Sequence, residues 1–583
     1  MSFQPTHHRI FETLDKNHRP HATTFIEAPH IAISFSRPFG KGLGSFFDMM
    51  GWFDFEGVKS RGMFRVGVEG GLAVGVEIDG LGWGGVPPFL SHKDGLRVLS
   101  VWPVDFWRHP LRTQWITSND GAFSSLRVFP VYLDELGGVV IPTPQLQVRF
   151  RAKPSRKRLQ HLAEARDLLG IRKRSKAGLF VFACKPKRQA AETQEMTVEA
   201  LLTMKEDPEA WFEIARQMML EESDIEHCAP DILWTLHQSN DLLGVDRQTF
   251  TAGTHQQMTA KNRHFAQLGI SDAWEMSKGQ GVVVAVVDDG VDDKHPNLIG
   301  QLALDHAYDF QQENSDARPK VFRLPYHDPA HNDIHGTPCA GLIVSNGNEG
   351  VWGVAPKSQV LPIRVSNKAN GLVLVATHLL CDALTQAAEH ARVILCSWYL
   401  GGYDTLVEDT LQRITEGMGG QQSVIVVAAA GNDAADRLRF PASSSFAVGV
   451  GAVDLSGQHI PKSNKGAGLN LVAVGGSLWT TDVQIHPAYG YSPGSLFTQF
   501  GGTSSATAVV SGVIALMLSV CSRLTFGEVL EILQETAERE GVGEALKQAD
   551  PEKWASRYGT GRVHAHRALC EVLRRYPPPS TEP

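Results

Sequence analysis

Between residues 281 and 454 the chain alternates short, almost wholly apolar runs with longer stretches whose apolar positions recur every three or four residues. The runs "GVVVAVVDDG", "SQVLPIRV", "ARVILCSW", "SVIVVAAAGND" and "FAVGVGAVD" begin at Gly281, Ser358, Ala391, Ser423 and Phe446. They lack the polar alternation of a half-exposed strand, which predicts strands buried on both faces. "LVATHLLCDALTQAAEHA" (374–391) and "TLVEDTLQRITEGM" (405–418) predict helices between them. Helices alternating with doubly buried strands predict an α/β fold with a doubly wound parallel sheet, whose reactive groups gather at strand carboxyl ends.

Upstream the pattern changes. "LQVRF" from Leu146 alternates like a strand, and "SRKRLQHLAEARDLLG" offers Ser155 as a cap with apolar Leu159, Leu162 and Leu169. "GLFVFAC" predicts a second strand, "PEAWFEIARQMML" a helix opening on Pro208, and "DIEHCAPDI" a closing strand. Residues 141–235 thus read as a small α+β module. Before it, residues 1–140 read as β-rich, with a hairpin in "FRVGVEGGLAVGVEID" turning at Gly70 and Gly71. Polar residues dominate 236–262, a linker open to proteolysis. Residues 263–575 hold the α/β domain.

A length of 583 residues accommodates these parts, since a single core rarely extends that far. The net charge of -8 and ordinary composition call for neither a nucleic-acid nor a membrane partner. "MSFQPTHHRIFETLDKNHRP" has no basic-then-apolar signal layout, and the longest apolar segment contains Ser511 and Gly512, so a cytoplasmic location is expected. The seven cysteines are scattered, with no CxxC spacing, which predicts reduced thiols. "GLGWGG" from Gly80 fits a dinucleotide fingerprint on paper, but Val86, Pro87 and Pro88 stand where its helix must open.

Three places in the α/β domain carry polar residues that a packed sheet does not favour: Asp288 and Asp289 ending a strand, His335 in "NDIHGTPCAG", and Ser504 in "GGTSSATAVVSG". Aspartate, histidine and serine are the parts of a nucleophilic triad. His335 takes the serine proton, while Asp288 holds the imidazole tautomer and stabilises its charged form. Ser504 opens a helix, where backbone N–H groups face a developing oxyanion, and Asn432 in "VVAAAGND" offers a side-chain donor to the same oxygen. Alone, each residue reads as a cap, an ion-pair partner or a structural histidine. Their joint occurrence favours catalysis.

Over roughly 265–569 the chain resembles the subtilisin/kexin family of serine endopeptidases, on "VVVAVVDDGVDDKHPNL", "HGTPCAGLIVS", "GVWGVAPKSQVLPIRV", "VVAAAGND", "RFPASSSFAVGVGAVD", "GTSSATAVVSG" and "YGTGRVHAHRAL". The resemblance implies Asp288, His335 and Ser504 as the triad, with Asn432 completing the oxyanion hole. The doubled acid and "CSW" lean towards kexins, whereas "VVAAAGND" and "RFPASSSFAVG" are similar to bacterial subtilisins. Ala508 replaces a customary proline and Val474 stands where "APG" is usual, departures that bear on substrate fit rather than chemistry. The resemblance also implies that 141–235 is a propeptide-like inhibitor, with self-cleavage in 236–262. The basic stretch "RAKPSRKR" either complements an acidic catalytic domain or is a solvated helix face.

By the same resemblance Ser397, Trp398, Tyr399, Leu400 and Gly401 form the edge that pairs with an extended peptide substrate. Asp433, and Asp404 with it, is expected near the first specificity pocket, where an acid would favour Lys or Arg, and a solvated surface acid explains each equally well. No cofactor is required for the chemistry. Calcium is a candidate at "SNGNEGVWG" through Asn346 and Asn348, although Asn297 replaces the acid usual at such a site. His327, His331 and His335 are spaced as zinc ligands on a helix would be, but Pro329 and "HNDIHG" argue against a helix. Two other readings stand beside the protease: a dormant or regulatory binding protein acting through residues 1–140, and a processing protease serving one partner.

Overall fold

The structure is a computed structural model. It describes 140–169, 177–184, 208–238, 261–320, 332–366 and 375–577 with their side chains, apart from a few residues in the last span, and much of 7–133 as backbone strands. "GLGWGG", His327, His331 and residues 239–260 lie outside the described residues. Two units emerge: 1–235 with 322–331 and 367–378, and 236–321 with 332–366 and 379–583.

In the first unit the strand Val139–Phe150 pairs antiparallel with Phe180–Cys184 on one side and Ile225–Gln238 on the other. Helices Arg156–Ala165 and Pro208–Glu221 bury Leu159, Leu162, Trp211, Phe212 and Met218. Ser155 Oγ accepts the N–H of Arg158 at 3.1 Å, the expected cap. The helix ends at Ala165 because Asp167 takes a left-handed conformation, φ 54°, and Leu168–Arg174 becomes a strand. Leu169 is therefore not on the helix and is 55% exposed. Arg158 of the basic stretch is spent inside this unit, on Asp224 at 2.6 and 2.8 Å and Glu222 at 2.8 Å. The amino-terminal strands pair antiparallel, among them Val58–Glu69 with Leu72–Ile78, the hairpin expected at Gly70 and Gly71. No break falls at residue 140, since Leu126–Leu133 pairs with Val139–Phe150 across it.

The second unit is built on seven parallel strands in the order Tyr308–Asp309, Gln359–Arg364, Val283–Asp288, Val393–Cys396, Ile425–Ala429, Val448–Val453 and Leu471–Val474. Val283–Asp288 is the first of these strands in chain order yet lies inside the sheet. Successive strands are laid first on one side of it and then on the other, and that reversal opens a crevice at the carboxyl ends. The strands Val393–Cys396 and Ile425–Ala429 are buried throughout, as wholly apolar runs require. Leu374, Val375 and Ala376, expected to open a helix, instead end the strand Leu372–Ala376, and the helix runs from Thr377 to His390. The helix Gly502–Val520 is long and apolar enough to cross a membrane, but 89% of that stretch is buried inside the fold.

Candidate active site

Asp288 is the last residue of its strand and is 1% exposed. Its carboxylate oxygens accept from His335 Nδ1 at 3.0 and 3.1 Å, and one also accepts the N–H of Asp289 and the amide of Gln238, each at 2.8 Å. His335 stands just ahead of the helix Gly336–Val344. Asp289 clamps that helix start, taking the N–H groups of Ile334 at 3.1 Å, His335 at 3.0 and 3.1 Å and Gly336 at 2.7 Å. Such a carboxylate satisfies donors that the first helical turn leaves open. Gly336 is required here, because a Cβ would come within 2.4 Å of the Gly290 carbonyl and 3.2 Å of Asp288 Cβ.

Burial works against a charge on His335, but the Asp288 carboxylate and the Cys339 thiol group hold its pKa well above the ordinary 6.5. Cys339 lies one turn along, Sγ 3.9 Å from Nδ1, and burial pushes its thiol up. Asp288, His335 and Cys339 bring oxygen, nitrogen and sulfur within 4.8 Å, but a metal taking Nδ1 would displace the proton shared with Asp288.

Ser504 is the third residue of the helix Gly502–Val520. Its Oγ donates to the Ser397 carbonyl at 3.0 Å, and Ser397 Oγ donates back to the Ser504 carbonyl at 3.2 Å. Among the described residues His335 Nε2 has no hydrogen-bond partner, so the serine–imidazole bond of a working triad is not made in this conformation. Asn432 follows a turn at Gly431, whose φ is 110°. Its Oδ1 accepts the N–H of Thr503 at 2.9 Å, while Nδ2 is buried with no partner among the described residues. A donor is therefore oriented from the first helical turn beside Ser504 and left unspent, as an oxyanion hole requires.

The segment expected to pair with a peptide contains a short strand, Trp398–Tyr399. Trp398 is fully buried with its indole N–H on the Val287 carbonyl at 2.7 Å, and Leu400 bridges to Phe440, with Gly401 buried beyond it. The edge is already paired: His237 lies opposite Tyr399 and Gln238 opposite Trp398, antiparallel, with the His237 and Tyr399 rings stacked at 5.7 Å. Neither acid proposed for a basic pocket is uncommitted. Burial opposes ionisation of Asp433, yet Arg439 and the Asn464 amide keep its pKa lowered, and Asp404 caps the helix Thr405–Glu416. The roles of Gln238, Asp289 and Arg439 escaped the sequence reading. For Asp289 alone there was a signal, a second acid directly after Asp288 at the end of an apolar strand.

At the candidate calcium loop, Asn346 Oδ1 accepts the N–H of Asn348 at 3.0 Å, and Asn348 Oδ1 that of Glu349 at 3.1 Å. Both side chains therefore close local turns. Donors rather than lone pairs meet at the loop carbonyls, a set that does not fit a hard cation.

The sequence model of the subtilase family matches residues 279–561. A calcium-dependent protease from Nostoc sp. is 28% identical over 408 residues, covering 64% of this chain and 57% of that protein. Thermitase from Thermoactinomyces vulgaris is 30% identical over 301 residues, covering 51% of this chain and 91% of thermitase. Among solved structures, fervidolysin from Fervidobacterium pennivorans has a TM-score of 0.52 at 19% identity, covering 73% of this chain and 61% of its own, and so shares the fold. The chain belongs to the subtilase family. It spans little more than half the length of the Nostoc protease, 57%.

Proposed function

We propose that the protein is a serine endopeptidase whose triad is Asp288, His335 and Ser504, with Asn432 as the oxyanion donor. The observation that carries this reading is the unspent, buried Asn432 Nδ2 held from the Ser504 helix, together with an imidazole fixed by a carboxylate. An extended protein or peptide substrate lies along Trp398–Tyr399. Ser504 Oγ turns from the Ser397 carbonyl to His335 Nε2, gives up its proton there and bonds to the scissile carbonyl carbon. The carbonyl oxygen takes the negative charge against Asn432 Nδ2 and the helix N–H groups. His335 then protonates the leaving amine, and water releases the acyl group by the same route. No cofactor enters these steps, and the free thiols accord with a cytoplasmic location.

In the same reading the chain restrains itself. His237 and Gln238 occupy the edge meant for substrate, Gln238 holds Asp288, and Ser504 Oγ is turned onto Ser397. Residues 141–235 are then the folded body of an inhibitory module, and the cut that frees the site falls within 236–262. Those contacts equally favour a second reading, a dormant protease fold used for binding. A fluorophosphonate probe separates the two: labelling that vanishes in Ser504→Ala supports the peptidase, and no labelling even after trypsin nicking supports the binder. For self-cleavage, intact mass should show a wild-type chain cut in 236–262 beside an uncut Ser504→Ala chain. An uncut wild type with full activity ends that part of the proposal.

A further inference from the structure

The loop for which the family resemblance suggests calcium is surrounded by nitrogen donors. Lys261 Nζ donates to the Glu349 carbonyl at 2.7 Å, and Asn262 Nδ2 to the Gly350 carbonyl at 3.0 Å. Asn297 Nδ2 donates to the carbonyls of Asn348 at 2.7 Å and Val351 at 3.3 Å, and to Ser345 Oγ at 2.8 Å. Ser345 Oγ in turn donates to the Val351 carbonyl at 2.8 Å. Four successive carbonyls, at 348, 349, 350 and 351, thus each accept from a side chain. Calcium needs six to eight oxygens at about 2.3–2.6 Å with lone pairs directed inward, usually with one or more carboxylates to balance its charge.

We propose that the Lys261 ammonium and the Asn262 and Asn297 amides take the place of the cation, so that this loop closes without calcium. Converging carbonyl dipoles repel one another unless something positive stands among them. Lys261 supplies one full charge, and the amide N–H groups supply partial ones. The ammonium is held from a second side by the face of Trp479, 5.0 Å from the ring centre. An aspartate at 297 would direct lone pairs at the carbonyls of 348 and 351, which only a cation relieves. The asparagine that fully fills this buried position donates to both instead. The loop also has a cost to hold, since Glu349 takes a left-handed conformation at φ 52°, with its carboxylate receiving Ser495 Oγ at 2.6 Å. The inference does not depend on the peptidase reading. It separates this chain from the relative that is a calcium-dependent protease.

Hydrogen exchange with mass spectrometry on the full Ser504→Ala chain, which is spared self-digestion, tests it. Peptides covering 345–353 should exchange at the same rate in millimolar calcium chloride and in EDTA. Lys261→Met should speed exchange there by about tenfold in both, as expected for losing one charged hydrogen bond, and Lys261→Arg should restore most of the protection. Slower exchange of 345–353 in calcium than in EDTA, in the chain with native Lys261 and Asn297, overturns the proposal. So does unchanged protection in Lys261→Met. Peptides distant from the loop serve as the control, since calcium bound elsewhere slows exchange there as well.

Discussion

At Asn432 the two ends of one amide do different work: Oδ1 takes the Thr503 N–H at 2.9 Å and Nδ2 waits in a buried position. A donor already oriented costs no reorganisation when charge develops, so Asn432→Ala should lower kcat by about 100- to 1000-fold with KM little changed. Steady-state kinetics on a peptide substrate checks this, and a rise in KM at constant kcat would mean that Asn432 only binds substrate. Asp289 acts one step removed, through the backbone of the His335 helix. Asp289→Asn replaces one of two acceptor oxygens by a donor facing two of the three N–H groups. The expected cost is about 1–3 kcal/mol of stability and a lower kcat. Denaturant unfolding and steady-state kinetics check the two losses, and the acid limb of kcat/KM reports the imidazole itself. In the wild type that limb should lie above 6.5, because the base must be neutral and Asp288 raises the His335 pKa. Stability runs the other way. A raised imidazole pKa contributes its full share below the unfolded value of 6.5, and the share is lost as pH rises through the folded value.

The Gly502–Val520 helix holds Ser504 at its first turn and the core with the rest, and its fit is tight at one point. A Cβ on Gly512 would meet Val354 Cβ at 2.6 Å. Alanine ordinarily favours a helix over glycine by about 1 kcal/mol, yet Gly512→Ala should destabilise by about 1–3 kcal/mol through overpacking. Denaturant unfolding decides which effect wins, and a stabilised variant would mean that the helix can shift. The core strands were legible from sequence because burial on both faces removes polar alternation, as at Val283–Asp288 and Ile425–Ala429. Asp288, His335, Ser504 and Asn432 stood out as candidates because each sits in a separate motif whose polar residue has no packing reason to be there. Element ends were less so: Leu168 and Leu169 suit a last helical turn or a strand, and the left-handed Asp167 settles it for the strand. Pairings made in space were illegible. Asp433 looks like a specificity acid until the turn at Gly431 folds Arg439 back onto it, and nothing local marks Gln238 as the partner of a residue fifty positions on.

Across the whole molecule, buried titrating groups set the response to acid, and His264 is the clearest among the described residues. It is 1% exposed, its ring meets Phe265 edge-on at 4.7 Å, and burial pushes its pKa down to about 3. The unfolded chain takes up a proton there near 6.5 while the folded chain does not. Protons therefore favour the unfolded state, and stability falls by about 1.4 kcal/mol per pH unit below 6.5 until pH approaches 3. His459, pushed down to about 4 mainly by burial, adds to the same slope. Asp482 opposes it: burial raises its pKa to about 6, so between 3.8 and 6 the folded state binds the proton first and gains from acid. Replacing His264 should remove its own share of the acid response and leave the others in place. Urea unfolding of Ser504→Ala with and without His264→Phe, at pH 7 and pH 4, isolates that contribution. The phenylalanine chain should lose less stability between those pH values, by about 3 kcal/mol, whatever its stability at pH 7. An equal loss in the two chains would mean that His264 takes up its proton in the folded state, which requires water or a counter-charge to reach a site packed against Phe265.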